Sequence, residues 1–499
     1  MTTIGKGQTK PVAADRGTSR AEEAGASHAA PRRAGLRFVR QHWLAAALLA
    51  AGLVLRVLAQ FAYRPALFYI DTARYVSNNP PGMDPLGYGG LLRAISPAGG
   101  LATVAAVQHL LGLAMAVVIY LLLLRRGATP WLAALAIAPV LLDGYQLQIE
   151  QTIMPDTVFE AMIVAGLAIL LWRAALSWRR VVAAGLVLGA SATVAQVGEA
   201  LLVPAVIFVL AAGGGWRPAI GRGAALCAAF VVPILAYSAG SDLITGSFFL
   251  SHTGVTSFYG RAAAAADCAT IRLPAAERGM CPTRAQQAYG ADWLEYNLGS
   301  PIRSYYKNPD RAQTDREISD FNHAVLVQQP GRLLAAYGRD AAKLFALSRT
   351  GSRGDTPISR WQFQRSFPYY QHSSRQVVST EISQLGGGGR PAVWRPAAAF
   401  LRAYQLGRGY TPGPLLALAA LAGLAGSALA ARRKADQGIR QAALGCLLFF
   451  ASGVFVLAVS DLFEFSWRYQ LPALVTLIPA GALGISVVTG SIRAGHRSS

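Results

Sequence analysis

The sequence predicts an all-α polytopic membrane protein, and three observations carry that reading. Hydrophobic residues are 53% of the 499 residues and charged residues only 14%, well below the roughly 25% of a soluble domain. The apolar residues lie in continuous runs rather than in alternation, the pattern of spanning helices and not of barrel strands. Lys and Arg number 46 against 25 Asp and Glu, a formal charge of +21. In a soluble chain such an excess would suggest nucleic acid. Here it marks the loops between apolar runs, where cations set topology, so no nucleic-acid partner is expected. The composition excludes a disordered chain, a coiled coil and an ordinary cytosolic enzyme.

Residues 1–40 are rich in Ala, Gly, Thr and Arg without apolar periodicity and read as a disordered cytoplasmic tail. About ten candidate transmembrane helices follow, near 43–61, 101–124, 129–143, 156–174, 180–196, 199–214, 222–240, 412–431, 441–460 and 469–490. The third, fifth and sixth are short or carry few flanking charges. The first run reads as a span and not as a cleavable leader. Residues 41–240 thus form an N-terminal transmembrane module expected to be catalytic. Residues 241–411 form an extracytoplasmic insertion domain of mixed structure, with a flexible break at Gly386 to Gly389. Residues 412–490 supply C-terminal transmembrane helices, and 491–499 a second cytoplasmic tail.

Orientation follows from the short loops. With the N-terminus in the cytoplasm, Arg32, Arg33, Arg37, Arg40, Arg125, Arg126, Arg179, Arg180, Arg217, Arg222, Arg432, Arg433, Lys434, Arg493 and Arg497 fall inside. Only Arg64, Arg74, Arg93 and Arg468 fall in outer short loops. The expectation is a multi-pass plasma-membrane protein with both termini cytoplasmic.

The acids are polarised the other way. Asp71, Asp84, Asp143, Glu150, Asp156, Glu199, Asp461 and Glu464 all lie at or near outer ends of spans. Helix capping and avoidance of the positive inner side account for any one of them. A reaction centre on the outer face is the alternative for the group. Cysteines agree with that placement. Cys227 and Cys446 lie within apolar runs, whereas Cys268 and Cys281 lie 13 positions apart in the insertion. In an oxidising compartment the latter are expected to form a disulfide. A metal-binding pair is the weaker alternative, since neither has a CxxC partner.

Three outer segments could carry chemistry. The first reads Tyr69-Ile70-Asp71-Thr72-Ala73-Arg74-Tyr75, which puts Asp71 and Arg74 one turn apart if helical. It continues into Pro85-Leu86-Gly87-Tyr88 and an amphipathic stretch ending at Arg93. The second runs from Asp143 to Glu150 and then through Met154-Pro155-Asp156 to Glu160. Pro155 suits the opening of a helix, and Glu160 lies one turn further into the membrane. The third reads Glu464-Phe465-Ser466-Trp467-Arg468-Tyr469, then Leu471-Pro472. Arg468 departs from the cation asymmetry and could bind a phosphate in fork geometry. Interfacial snorkelling and a capping salt bridge are the plain alternatives.

These segments resemble the GT-C superfamily of integral membrane glycosyltransferases, in particular its protein O-mannosyltransferase-like and aminoarabinose-transferase-like branch. Asp71, Arg74 and Tyr75 match its first-loop pattern, with Thr72 in place of a second acid. Asp156 matches its acid at the outer start of a span. Pro85 to Tyr88 resembles its first-loop turn, and Arg468, Tyr469, Leu471 and Pro472 its late Arg-Tyr…Leu-Pro. The similarity covers roughly residues 40–240 and the last one or two spans.

The resemblance implies an inverting membrane glycosyltransferase. It would move a sugar from a polyprenyl-phosphate donor in the membrane lipid to an extracytoplasmic glycan, protein or lipid acceptor. Asp71 would be general base, with Asp156 a second catalytic acid orienting the acceptor. Arg74, Tyr75, Tyr88, Arg93, Glu160, Arg468 and Tyr469 would bind substrate or phosphate. No cofactor is assigned. A divalent cation stays open as an alternative, to which Asp156 could contribute; it is weakened by the loss of the first-loop acid pair, and no metal site is assigned. The insertion, with 20 Lys and Arg against 12 acids, would shape the acceptor site through aromatics such as Trp293, Tyr296, Tyr305, Tyr306, Trp361, Phe363, Tyr369 and Tyr370. A lipid-linked glycan ligase or polymerase is one alternative. A transporter or flippase is another; it would use charge at mid-membrane, for which Arg56 is the lone candidate.

Overall fold

The computed structural model describes residues 19–77, 81–82, 85–212, 214–308, 310–352, 354–368, 371–372, 375–376, 389–431 and 436–498. It is an all-α membrane protein. The expected aromatic contributors Tyr369 and Tyr370, the acid Asp84, the cations Arg432, Arg433 and Lys434, Gly386 to Gly388 and residues 1–18 lie outside the described residues.

In chain order the first ten helices are α1 (Ser19–Ala62), α2 (Thr72–Val76), α3 (Gly87–Ile95), α4 (Gly100–Arg125), α5 (Pro130–Leu142), α6 (Gly144–Gln151), α7 (Asp156–Leu171), α8 (Trp178–Ala192), α9 (Leu202–Ala212) and α10 (Trp216–Thr245). The insertion contributes α11 (Thr253–Ala265), α12 (Arg284–Gln287), α13 (Gly290–Tyr296), α14 (Ile302–Tyr305), α15 (Arg311–Gln328), α16 (Pro330–Lys343) and α17 (Arg395–Leu406). The last three are α18 (Gly413–Ala428), α19 (Gln437–Phe463) and α20 (Pro472–Ser498). α1 begins at Ser19, so the second half of the segment expected to be a disordered tail is helical.

Every apolar run expected to span is helical, but the count of ten is not reached by length. Among the described residues five segments are long and apolar enough to cross a membrane alone: Arg40–Ala62, Gly100–Arg125, Trp216–Thr245, Gln437–Phe463 and Trp467–Gly490. α5 and α6 qualify together as one span bent by 50°. The others are shorter: α7 ends at Leu171 after 16 residues, and α8 has 15 residues, under the ~20 that hydrocarbon requires.

The α5–α6 bend follows from its residues. Pro130 opens α5, where a missing N–H costs nothing. Asp143 takes an extended conformation at the break, and its side chain accepts a hydrogen bond from the Tyr145 N–H at 2.9 Å, capping α6. α6 is polar in sequence, yet all eight of its residues are buried. That is tolerable only if its polar atoms find partners. Glu150 pairs with Arg56 at 2.7 Å and meets His109 Nδ1 at 3.0 Å. Arg56 also donates to the carbonyls of Val140 (3.0 Å) and Leu141 (2.9 Å), satisfying the end of α5. Gly112 makes room: a Cβ on that face of α4 would overlap the Glu150 carboxylate.

The insertion divides in two. Its first half has its own core around Tyr259, Met280, Leu294, Ile318 and Phe321, and Cys268 and Cys281 are joined as expected. Its second half shares the bundle's core. Leu344, Trp361 and Phe367 join the main apolar cluster, and Phe363 and Leu401 pack with Tyr63 and Leu147. Ala392–Val393 pairs antiparallel with Tyr63–Arg64 at the end of α1. Arg349 reaches back to Asp143 at 2.6 Å, buried, and stacks on Tyr145, Tyr410 and Trp467. Among the described residues the mixed structure expected of the insertion is helix with one short strand pair of its own, Gln371–His372 against Arg375–Gln376, and one strand, Ala392–Val393, paired with Tyr63–Arg64.

Candidate functional site

The loop after α1 is pinned to the loop after α6. Leu67 and Thr152 form a parallel bridge, with Leu67 N–H donating to the Gln151 carbonyl at 2.9 Å and Ile153 N–H to the Leu67 carbonyl at 3.0 Å. Thr72, buried, donates its hydroxyl to the Ile153 carbonyl at 3.0 Å and accepts from the Tyr69 N–H at 2.8 Å. The residue standing where the resemblance expects a second acid is therefore a strut between the two loops. Asp71, at the start of α2, faces outward from this frame.

Arg468 lies at the centre. Its guanidinium is 3.6 Å from Asp71 Oδ2 and 3.2 Å from Asp156 Oδ1. It stacks on Trp361 and Tyr469, with centroid distances of 5.2 and 4.6 Å, and donates to the Tyr469 hydroxyl at 2.9 Å. Arg74 stands 3.9 Å from Asp71 Oδ1, the one-turn pairing expected on α2. The group between the two acids is thus a guanidinium. Among the described residues no three His, Cys, Asp or Glu side chains converge as a metal site.

Two cavities meet at this centre. One, of about 300 Å³, runs between the 194–200 segment, the end of α19 and α11; Val194, Ala195, Val197, Ala200, Val459 and Phe463 give it an apolar wall. The other, of about 540 Å³, is lined largely by polar and aromatic groups of the insertion and the first loop. Asp71, Tyr296, Glu464, Arg468 and Tyr469 line both.

The expected residues separate accordingly. Arg74 lines the polar cavity and Tyr75 the apolar-walled one. Asp156 lines neither and touches the site through Arg468. Tyr88 is buried, edge-on to Tyr75 at 5.2 Å, with its hydroxyl 2.6 Å from Gln108 Oε1; it supports the site from behind. Glu160 is buried and receives a hydrogen bond from Gln146 at 2.7 Å. Arg93 is exposed on α3 and borders neither cavity. Of the insertion aromatics, Trp293, Tyr296 and Trp361 line the polar cavity, while Tyr305 and Tyr306 pack on the outer core and Phe363 is buried against Tyr63.

Sequence reasoning did not single out Asp292 or Arg360, which line the polar cavity, and placed Glu464 only in a general set of acids. Arg360 donates to the Tyr69 hydroxyl at 2.8 Å. Burial pushes the Asp292 carboxyl up, opposed by Arg360. Burial, with Asp292 and Glu295 facing it, pushes the Glu464 carboxyl well above the usual carboxylate range. Two facing carboxyls hold at most one charge comfortably between them. The one signal in the sequence was Glu464 beside Phe465, Trp467 and Arg468, an acid among aromatics next to an outer cation.

No family model matches the chain, and no curated protein matches it. Several solved structures are similar in part. The Saccharomyces cerevisiae protein O-mannosyltransferase Pmt1-Pmt2 complex bound to the sugar donor matches over 44% of this chain and 36% of that one, at 17% identity and a TM-score of 0.33. The Archaeoglobus fulgidus oligosaccharyltransferase AglB, in complex with an inhibitory peptide and a dolichol-phosphate, matches over 92% and 52%, at 14% identity and a TM-score of 0.40. The same archaeal enzyme tethered to an acceptor peptide matches over 93% and 51%, at 12% identity and a TM-score of 0.42. The matches span only about a third to a half of those chains, and likeness at this level carries no inference about activity.

Proposed function

We propose that the protein is a membrane glycosyltransferase that moves a sugar from a lipid-phosphate donor to an extracytoplasmic acceptor. One observation carries the reading: Asp71 and Arg468, a carboxylate and a cation in contact, line both of two cavities that differ in character. A polyprenyl-phosphate sugar suits the apolar-walled cavity, its phosphate meeting Arg468. The acceptor suits the polar cavity. Between them Asp71 takes the proton of the acceptor hydroxyl as its oxygen attacks the anomeric carbon. The bond from that carbon to the phosphate oxygen breaks, and its electron pair leaves with the phosphate. Attack from the side opposite the leaving group inverts the anomeric centre. Arg468 meets the charge that develops on the phosphate, and its stacked, doubly paired guanidinium is already oriented before that charge appears. Asp156 acts through Arg468 and is a positioning residue in this scheme.

Arg56, the mid-span charge that would have favoured a transporter, is engaged by Glu150 and by backbone carbonyls. The test uses membranes containing the full chain, supplied with radiolabelled polyprenyl-phosphate sugars and cell-envelope acceptors. Asp71→Asn should abolish transfer at unchanged protein level. Undiminished transfer by Asp71→Asn and Arg468→Ala together would reject the assignment.

A further inference from the structure

We propose that the 540 Å³ polar cavity is a carbohydrate subsite, so that the group receiving the transferred sugar is itself a sugar. The proposal takes the word acceptor from the transferase reading, but its evidence is the cavity itself. A sugar ring offers an apolar face and a rim of hydroxyls, each able to donate and to accept. A site for it needs aromatic walls and side chains that can do both. The cavity has both. Trp293, Tyr296 and Tyr69 stand along its walls, and half-buried Trp293 is fixed in place by stacking on Tyr289 with centroids 5.0 Å apart.

Glu464 is the second, independent sign. It is only 7% exposed, and its Oε1 accepts from the Thr356 hydroxyl at 3.3 Å. Its Oε2 is buried, and without a proton on the facing Asp292 it has no hydrogen-bond donor among the described residues. Such an atom is costly to leave unsatisfied. Asp292 faces it from α13. A proton shared by the two carboxyls gives the pair one donor and several acceptors, which matches a ligand hydroxyl and not a second anion.

The remaining chemistry narrows the class. Three cations line the cavity, Arg74, Arg360 and Arg468, and three acids, Asp71, Asp292 and Glu464. With one proton shared by Asp292 and Glu464, and Arg468 committed to the donor phosphate, Arg74 and Arg360 are balanced by Asp71 and the carboxyl pair, which suits a neutral ligand. A lipid acceptor would want the apolar walls of the neighbouring cavity instead. A peptide held in extended form would want a strand edge to pair with, and among the described residues none borders this space.

The test presents the full-length protein in lipid nanodiscs to an array of defined hexopyranoside and pentofuranoside oligosaccharides, beside an array of Ser- and Thr-containing peptides. Retention on a subset of the oligosaccharides is expected, weakened about tenfold or more by Trp293→Ala and by Glu464→Gln. Trp293→Phe should restore most of it, separating a lost stacking surface from a misfolded domain. Binding is read without donor and transfer with it, so a failure of the base assignment would show in transfer alone. Retention on peptides in place of oligosaccharides, retention on neither, or binding indifferent to Trp293→Ala and Glu464→Gln would overturn the subsite.

Discussion

Arg468 holds its charge 3.6 Å from Asp71 and 3.2 Å from Asp156 while its planar guanidinium stacks on Trp361 and Tyr469. Lysine offers a single point charge and cannot reproduce that geometry. Arg468→Lys should therefore lower kcat for transfer by about 100-fold or more, on the order of 3 kcal/mol of transition-state stabilisation. Steady-state assays that found Arg468→Lys near the parent rate would remove the cation from the scheme. Glu464 makes a prediction about pH. Its carboxyl is raised on folding, so its stabilising contribution is fully present below its ordinary value of about 4.5 and is lost as pH rises through the raised one. The Tm of Glu464→Gln relative to the parent should climb as pH goes from about 4.5 to neutrality; a difference that stays flat would contradict the sign. Asp71, Arg74 and Arg468 were legible in sequence because they break a simple asymmetry, with cations outside and an acid one turn from an arginine. Asp292 and Arg360 were not. They lie in a seven-residue helix and a single 3-10 turn within a long hydrophilic stretch, where no periodicity says which face meets the bundle.

α6 sets the position of the second loop, and so of the strut at Thr72. Its eight residues are buried through partners on α1 and α4. Gly112→Ala would drive a methyl into Glu150 and disturb the Arg56 and His109 contacts together. Leaving a buried charge poorly paired costs about 3–5 kcal/mol, so Gly112→Ala should lower Tm by several degrees in detergent and reduce transfer with it. A thermal scan matching the parent would show that α4 can move aside. The sequence made every apolar helix visible but not its end. Asp143 and Pro155 were read as span-end and helix-opening residues. That Asp143 also bends the span by 50° and takes Arg349 from 206 residues away depends on packing no local pattern encodes.

For the whole molecule, the separation of insertion from bundle is sharper in sequence than in space. Arg349, buried against Asp143 and three aromatic rings, fastens the insertion's second half to the bundle. Arg349→Ala should cost about 3–5 kcal/mol, whereas pairing it with Asp143→Asn should recover part of that loss by removing the stranded charge while an amide oxygen keeps the cap. Limited proteolysis would read this as faster cleavage within 344–411 for the single variant. If single and double variants are cut at one rate, the pair is not a fastening. The disulfide acts elsewhere, within the separate outer core. Replacing Cys268 and Cys281 by Ser should cost about 3 kcal/mol there and leave cleavage within 354–368 and 389–411 unchanged.

The buried polar helix also constrains how the bundle is assembled. A segment reading Gly-Tyr-Gln-Leu-Gln-Ile-Glu-Gln has little apolar surface of its own to drive it into a packed interior. Its Glu150 becomes tolerable only beside Arg56 and His109, both synthesised earlier. The Glu150 carboxylate is therefore paired only when α6 packs against an α1 and an α4 that are already in place.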